Sequence, residues 1–206
     1  MDRRIEKIIE ILNERYRIEF WKEEPFKALV ETVLSQRTRD ENTEKAASQL
    51  FRVADTPKGI LKLDQRKIEK LIHPSGFYRQ KAKRIKQISK IILEKYKGKV
   101  PKTREELMEL PGVGGKTADI VLCYAFGKKV IPVDVHVAVV SRRLGFTKNK
   151  NPEKIREDLH ELIHEKNRRI INYLFVEFGK EICQTRKPLC YKCPIVKLCP
   201  YEPKNI

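Results

Sequence analysis

The sequence lacks the features that mark membrane-bound or exported proteins. It contains no apolar run near the ~20 residues that a helix needs to cross a bilayer. Its first residues, MDRRIEKIIEIL, alternate charged side chains with Ile and Leu, so they match neither a signal peptide nor a clean transit peptide. Internal repeats and low-complexity linkers are also missing. We therefore expect a soluble, cytoplasmic globular protein with no membrane partner.

Acidic residues are scarce relative to basic ones. The 206 residues include 45 Lys and Arg but only 28 Asp and Glu, which gives a net charge of +17 and a pI of about 9.7. A surplus of this size favours a polyanionic partner, and nucleic acid is the leading candidate. Lys- and Glu-rich chains are also typical of thermophiles, but there acid and base usually balance. The length and the 40% of hydrophobic residues suffice for a packed core in one domain or two small ones.

Cysteine is absent from the first 122 residues and is then concentrated near the C-terminal end. Four of the five cysteines, Cys183, Cys190, Cys193 and Cys199, form the pattern C-x6-C-x2-C-x5-C. Disulfides are not expected in the cytoplasm, so the pattern favours metal or cluster binding. Structural zinc sites usually present two close Cys pairs, whereas one pair flanked by single cysteines suits a larger 4Fe–4S cluster. Zinc and free thiols are the alternatives. Cys123, on an apolar helix face, is expected to be a buried structural residue.

Apolar residues recur at helical spacing over almost the whole chain. The Val-rich residues 129–140 also fit a strand, but Asp134 as an N-cap and the Arg pair at 142–143 favour a helix there. Thr103 and Glu106 form a capping box that opens a short helix ending near Leu110. The sequence predicts an all-α protein, with further helices over 4–13, 26–35, 40–54 (N-capped by Asp40), 79–97 (closed by Gly98), 115–126, 134–144, 152–165 and 168–180.

The segment LPGVGGKTA, residues 110–118, has the form of a helix-hairpin-helix turn. Its glycines permit positive φ and a close approach of the backbone to a ligand. The second helix begins with unpaired N–H groups, which form a ready phosphate site. A P-loop also ends in Gly-Lys-Thr, but its first glycine would fall on Leu110 and no strand precedes the segment. The hairpin predicts DNA contacts from Gly112, Val113, Gly114, Gly115 and Thr117.

Lys116 lies in the first turn of the second helix, where the helix dipole disfavours a cation. Positive potential and burial favour a neutral amine, which is the form that Schiff-base chemistry needs. An ordinary surface lysine is the alternative. Asp134 interrupts an apolar stretch, and as an N-cap it stays ionised. The helix over 115–126 rises about 18 Å, and the next eight residues span roughly 27 Å when extended. The chain is therefore long enough to return Asp134 to Lys116.

Together these motifs resemble the endonuclease III family of DNA glycosylase/AP lyases. Three motifs follow one another in the family's order: LPGVGGKTA, then VDVH, then the cysteine pattern. Lys116 and Asp134 are eighteen residues apart, and the resemblance covers nearly the whole chain. The resemblance implies two all-α domains with the active site in the cleft between them. Residues 20–129 would form a six-helix domain carrying the hairpin, and residues 1–19 with 130–206 the iron–sulfur domain. It also implies that Lys116 is the nucleophile and Asp134 the essential carboxylate.

Three further segments are candidates for DNA contact. Phe77 lies where the family has a wedge loop and would fill the stack as the damaged base leaves, with a core Phe as the alternative. Gapless alignment puts Arg37 at the place of the family's hole-filling glutamine, and Gln36 one residue before it. The loop 184–189, ordered around a cluster, would present Arg186 and Lys187 to phosphate, with a solvated turn as the alternative.

The resemblance implies base excision repair. We expect an N-glycosylase that removes damaged, oxidised pyrimidines from double-stranded DNA and then nicks the abasic site by β-elimination. We expect it to act as a monomer at the nucleoid, with a structural 4Fe–4S cluster. One alternative is a mismatch-specific uracil or thymine glycosylase of the same superfamily, although monofunctional members generally lack the lysine. The other is a non-catalytic hairpin module, which would not need the Lys116–Asp134 pair.

Overall fold

The computed structural model describes residues 3–18 and 23–206, and within those ranges the chain is helical and has no strand. This confirms the all-α prediction. The chain forms two compact units. We call Lys22–Phe126 the hairpin unit, and Met1–Trp21 together with Gly127–Ile206 the tail unit. None of the described helices is long and apolar enough to span a bilayer.

The described residues contain each predicted helix in its predicted order, and two further short helices. The helices are α1 (Arg3–Tyr16), α2 (Pro25–Ser35), α3 (Asp40–Phe51), α4 (Pro57–Lys62), α5 (Gln65–Leu71), α6 (Tyr78–Glu94), α7 (Arg104–Met108), α8 (Gly115–Ile120), α9 (Val135–Arg143), α10 (Pro152–Leu162) and α11 (Glu165–Glu181). Short 3₁₀ turns lie at His73–Ser75, Cys190–Lys192 and Val196–Leu198. A π-helical turn, Val121–Ala125, continues α8.

The ends of the predicted helices are confirmed in part. The predicted N-cap Asp40 is wrong: Asp40 is the first residue of α3, and Arg39 precedes it as a cap without a side-chain hydrogen bond. Thr103 caps α7 as predicted, since its hydroxyl accepts from the Glu106 N–H at 3.3 Å. Gly98, with φ of +83°, donates its N–H to an α6 carbonyl at 2.8 Å and so closes that helix end. The short helices α4 and α5 were not expected, because six or seven residues barely show a helical period.

The hairpin unit is built around α6, which packs against α4 and α5. The apolar face of α6 is buried through Ile85, Ile88 and Ile92. Ile60 of α4 and Ile68 of α5 are likewise completely buried. The opposite face of α6 is rich in Lys and Arg, as its amphipathic pattern predicted.

The tail unit packs α1 and α9 against α11. Its core joins Ile5, Ile8 and Leu12 of α1 to Phe175 and Phe178 of α11. The last cysteines lie at the edge of this core, so the unit is continuous from α1 to the C-terminal tail. The strand alternative over 129–140 is wrong, because these residues are irregular up to residue 134 and helical after it.

Candidate functional site

The hairpin turn in the hairpin unit has the backbone that its sequence predicted. Gly112 adopts φ of +78°, and the Val113 N–H donates to the Leu110 carbonyl at 3.0 Å. Gly114 is the N-cap of α8, and no side chain accepts from the helix N-terminus there. Gly112 and Gly114 are exposed, whereas the side chains of Val113 and Thr117 are buried. Any DNA contact from Val113 or Thr117 must therefore come from the backbone.

A buried ion pair holds the two helices of the hairpin together. Arg104 in the first turn of α7 lies 3.3 Å from Asp119 of α8, measured from Nε to Oδ1. Asp119 is only 1% exposed. The pair therefore links the first turn of α7 to α8 within the hairpin unit.

Lys116 is the second residue of α8 and follows the hairpin turn directly. Its side chain is exposed. The amine stands beside the helix N-terminus, where backbone N–H groups provide positive potential. An exposed amine in this position is accessible to a nucleotide bound at the turn.

Gln36 is tied to the hairpin turn. Its side-chain amide donates to the Gly112 carbonyl at 2.9 Å, and its Oε1 accepts from Arg84 at 3.2 Å. Arg84 itself packs against Gly112 so closely that a Cβ added there would lie 2.8 Å from the guanidinium arm. Gln36 therefore supports the turn and has its side chain engaged.

Arg37 and Phe77 differ from Gln36, since both are exposed and both have positive φ. The φ angles are +53° and +44°, a region that costs a non-glycine residue energy. Arg37 makes no hydrogen bond or ion pair with the described residues, and Phe77 is 60% exposed. The core alternative for Phe77 is thus wrong. Both side chains line one open cavity of about 400 Å³ together with Gln80 and Arg84.

Asp134 lies in the tail unit and is the N-cap of α9, as predicted. Its Oδ1 accepts from the Val137 N–H at 2.8 Å. The extended residues before it are fixed from two helices: Asn172 donates to the Pro132 carbonyl at 3.0 Å, and the Ile131 N–H donates to Nε2 of His160 at 3.1 Å. The carboxylate is therefore held at the N-terminus of α9.

A close contact between α9 and α11 supports the same region. A Cβ added to Gly179 of α11 would lie 2.6 Å from Nδ1 of His136, two residues after Asp134. Only glycine allows the two helices to approach this far. The contact sets the position of the first turn of α9 within the tail unit.

The four cysteines of the tail line one apolar cavity, together with Arg143 and Tyr201. Arg143 donates to Sγ of Cys183 at 3.3 Å and also to the carbonyls of Cys183, Gln184 and Thr185. Its guanidinium stacks 4.9 Å from the centre of the Tyr201 ring. One arginine thus fixes the first cysteine and the start of the loop that follows it.

Burial raises the pKa of the Cys183 thiol and raises the pKa of Cys193 to about 11. A metal or cluster must displace these protons, because the thiolate is the ligand. Among residues 3–18 and 23–206, no group of three or more His, Cys, Asp or Glu side chains is arranged to hold a metal ion. Cys123 is completely buried, as predicted.

Comparison with known proteins identifies the family. Residues 30–165 match the model of the HhH-GPD superfamily of base excision DNA repair proteins. The chain belongs to this superfamily. Among HhH-GPD relatives, Endonuclease III of Thermotoga maritima is 49% identical over 178 residues, which cover 86% of this chain and 84% of that protein. Endonuclease III of Escherichia coli K12 is 37% identical over 180 residues, 87% of this chain and 85% of that protein.

Solved structures match this chain over nearly its full length. A trapped Endonuclease III–DNA covalent intermediate with an estranged adenine has a TM-score of 0.88 at 32% identity and covers 97% of this chain and 96% of its own. A thermostable thymine-DNA glycosylase has the same TM-score at 28% identity, with 97% of each chain covered. The endonuclease III resemblance stated from the motifs is thus confirmed.

Several supporting residues of this HhH-GPD protein were not found from its sequence. Asn172, His160 and Arg143 each act on a backbone segment far away in the chain, and nothing local marks them. Lys81 is different, because its burial could have been noticed in the sequence. It lies four residues before Ile85, on the apolar face of the helix. Arg186 and Lys187 lie in an exposed turn after Cys183, so their contact with phosphate stays a prediction.

Proposed function

We propose that the protein is a bifunctional DNA glycosylase and AP lyase of the Endonuclease III type, with Lys116 as nucleophile and Asp134 as the essential carboxylate. The observation that supports the roles best is the exposed Lys116 in the first turn after a helix-hairpin-helix backbone. A non-catalytic hairpin module would have no use for an amine at a helix N-terminus. The Endonuclease III relatives, at up to 49% identity, favour the same activity.

The hairpin unit would anchor the duplex by its backbone. Exposed Gly112 and Gly114 let a phosphate approach the N–H groups at the start of α8, and the helix dipole adds to the attraction. This contact does not distinguish one base from another. It would place Lys116, two residues after Gly114, next to the sugar of the bound strand.

Arg37 and Phe77 would enter the base stack. Gln36 is engaged with Gly112 and Arg84, so Arg37 is the better candidate to occupy the place of the extruded nucleotide. Phe77 is an exposed aromatic side chain that can wedge between bases. Extrusion costs a few kcal/mol and is easiest for a damaged base, which gives part of the selectivity.

The chemistry follows from an amine and a carboxylate. The Nζ atom of Lys116 attacks C1′ of the extruded nucleotide as the C1′–N bond breaks, and the base leaves with the electron pair and takes up a proton. Asp134 would stabilise the positive charge on the sugar and accept a proton from the lysine. Opening of the sugar gives a Schiff base, which acidifies the C2′ proton. Its removal expels the 3′-phosphate by β-elimination, and water then releases the lysine.

The donor set of the tail cysteines and the cavity that they share support a 4Fe–4S cluster. Among the described residues that line this apolar cavity, only the four cysteines carry metal-binding side chains, and Arg143 provides an N–H to Sγ of Cys183. Cys183, Cys190, Cys193 and Cys199 would hold the group, which would supply a structural link between α11 and the tail. The loop that would offer Arg186 and Lys187 to phosphate begins directly after the first cysteine.

We propose oxidised pyrimidines in double-stranded DNA as substrates and a monomer as the active form. The likeness to a thymine-DNA glycosylase at the same TM-score makes a G·T mismatch the necessary comparison. A panel of duplexes, each with one oxidised pyrimidine, a G·U or G·T mismatch, or an abasic site, would rank these substrates. Faster excision from the mismatches than from the oxidised bases would refute the preference.

The roles of Lys116 and Asp134 are tested by borohydride trapping. Wild type should form a stable protein–DNA adduct on an abasic duplex and should nick the strand. Lys116→Ala and Lys116→Arg should lose both, since neither side chain supplies a neutral amine, yet both should bind DNA. Asp134→Asn should bind but lose about 10²–10³-fold in rate.

The exposed Lys83 on α6 provides a matched control, because Lys83→Ala removes the same charge from the same unit. Its adduct should persist. An adduct in Lys116→Ala that mapped to another amine would show that the nucleophile is assigned wrongly. Base release by wild type without adduct or nick would show a monofunctional glycosylase.

A further inference from the structure

Lys81 is a buried lysine without an acidic partner among the described residues. Its side chain lies on the apolar face of α6 and is only 2% exposed. The Nζ atom donates three hydrogen bonds of 2.7 Å, to the Leu34 carbonyl, to Oγ1 of Thr38 and to the Ser75 carbonyl. An ammonium has three protons, so every donor is used. A buried charge is costly, and an apolar side chain would fill the same space without that cost.

The three acceptors belong to the two segments that carry the exposed residues with positive φ. Leu34 and Thr38 flank Arg37 on either side in the chain. Ser75 lies two residues before Phe77. The Thr38 hydroxyl also donates to the Ser75 carbonyl, so the two segments are joined directly as well as through the ammonium. Lys81 and Thr38 thus cross-link the loop of Arg37 to the loop of Phe77.

This cross-link explains why the unfavourable backbone conformations persist. A non-glycine residue with positive φ costs about 1–3 kcal/mol and is retained only where its surroundings impose it. Arg37 has no hydrogen bond or ion pair to a described residue, and the Phe77 ring is mostly exposed. Their own side chains therefore do not hold them in place. The bonds from Lys81 and Thr38 act on the backbone on both sides of Arg37 and next to Phe77.

We propose that Lys81 is a positioning residue that fixes the distance between Arg37 and Phe77, so that both side chains enter a duplex in one step. The inference rests on the proposed function, because it takes these two residues as the inserted ones. Lys81 itself touches no reacting atom. Its effect should appear only where a partner strand has to be penetrated, and it should be absent on a strand that has no partner.

The test compares one lyase reaction on two substrates. Nicking of an abasic site in a duplex requires insertion into the stack, whereas the same site in a single strand offers no stack to enter. Lys81→Met keeps the length of the side chain and removes the ammonium. Thr38→Val keeps the shape and removes the hydroxyl, and it serves if Lys81→Met does not fold. Both should slow duplex nicking by at least about tenfold and change single-strand nicking by less than about twofold.

Two controls accompany these variants. Thr38→Ser keeps the hydroxyl and should restore the duplex rate, and Lys83→Met removes an exposed charge from the same helix without changing the ratio of the two rates. An equal loss on both substrates would overturn the proposal, because it would show that Lys81 only maintains the fold. An unchanged ratio in folded Lys81→Met would overturn it too.

A binding experiment separates this inference from the proposed function. A duplex with a tetrahydrofuran abasic analogue opposite 2-aminopurine reports insertion by a rise in fluorescence and needs no catalysis. Wild type should give the rise, and Lys81→Met at saturating protein should lose most of it. An equal rise in both would refute the role of Lys81 even if nicking is confirmed. Absence of nicking by wild type on either substrate would refute the lyase assignment and leave the fluorescence result to decide on Lys81.

Discussion

Replacing Gly112 by alanine should lower the free energy of unfolding by about 2–3 kcal/mol. Gly112 has φ of +78°, a conformation that costs an L-residue about 1–2 kcal/mol. The new Cβ would also lie 2.8 Å from Cδ and Nε of Arg84, which would have to move. That movement breaks the hydrogen bond from Arg84 to Gln36, which contributes about 0.5–1.5 kcal/mol.

Gly114 in the same turn provides the matched control. Its φ is −100°, and a Cβ there would meet no atom within 4 Å. Alanine is a poorer N-cap than glycine, so Gly114→Ala should cost at most about 1 kcal/mol. The methyl group would nevertheless stand where a phosphate must approach the N–H groups of α8. Gly114→Ala should therefore lose DNA affinity while it remains folded. Gly112→Ala should lose DNA affinity and also stability.

Urea denaturation and fluorescence-anisotropy titration with an undamaged duplex at fixed salt measure the two quantities separately. A Gly112→Ala protein as stable as Gly114→Ala would contradict the argument from positive φ and from Arg84. Wild-type affinity in Gly114→Ala would show that the hairpin is not the phosphate anchor. Because the contact is made with the backbone of DNA, the affinity of wild type should itself fall steeply as salt is raised.

Three further predictions concern stability and the tail. Asp119→Ala removes the buried carboxylate that pairs with Arg104 and should cost about 3–5 kcal/mol in urea denaturation, and a loss below about 1 kcal/mol would refute the role of the pair. Burial lowers the pKa of Lys81 to about 8 in the folded chain. Between about pH 8 and pH 10 the unfolded chain therefore keeps a proton on Lys81 that the folded chain has lost. Stability should rise over that window by about 3 kcal/mol relative to Lys81→Met, and parallel pH curves would exclude this. Purified protein should contain about four iron and four sulfide per chain. The Cys193→Ser variant should lose this iron and sulfide, and the Cys123→Ser variant should keep it. One tightly bound zinc in place of the iron would rule out the cluster.

The features that the sequence predicted are local ones. The Thr103 cap, the Asp134 cap and the glycine turn at Gly112 each depend on residues within a few positions, and all three are present. Long amphipathic helices such as α6 also show their period clearly. Where the local signal is weak the prediction failed, as for α4 and for the cap of α3, where Asp40 lies one residue inside the helix.

The features that it did not predict depend on distant parts of the chain. Gln36 bonds Gly112 across 76 residues, and Arg143 bonds the Cys183 carbonyl across 40. No local motif marks Gln36 or Arg143, so no spacing in the sequence connects either residue to its distant partner. Lys81 went unrecognised for another reason: a lysine on an apolar face is normally assigned to solvent, and only the three acceptors reveal why it is buried.

The pair Gln36 and Arg37 shows what geometry adds where alignment leaves two neighbours as candidates. Here Gln36 is the C-cap of α2 and its side chain supports the hairpin turn, while Arg37 leaves the helix with positive φ. The outward position therefore belongs to the guanidinium of Arg37 and not to the amide of Gln36. A guanidinium has five hydrogen-bond donors and no acceptor, whereas a glutamine amide has donors and an acceptor. Whatever faces that position must therefore offer hydrogen-bond acceptors, and it is Lys81 that holds the backbone on either side of it.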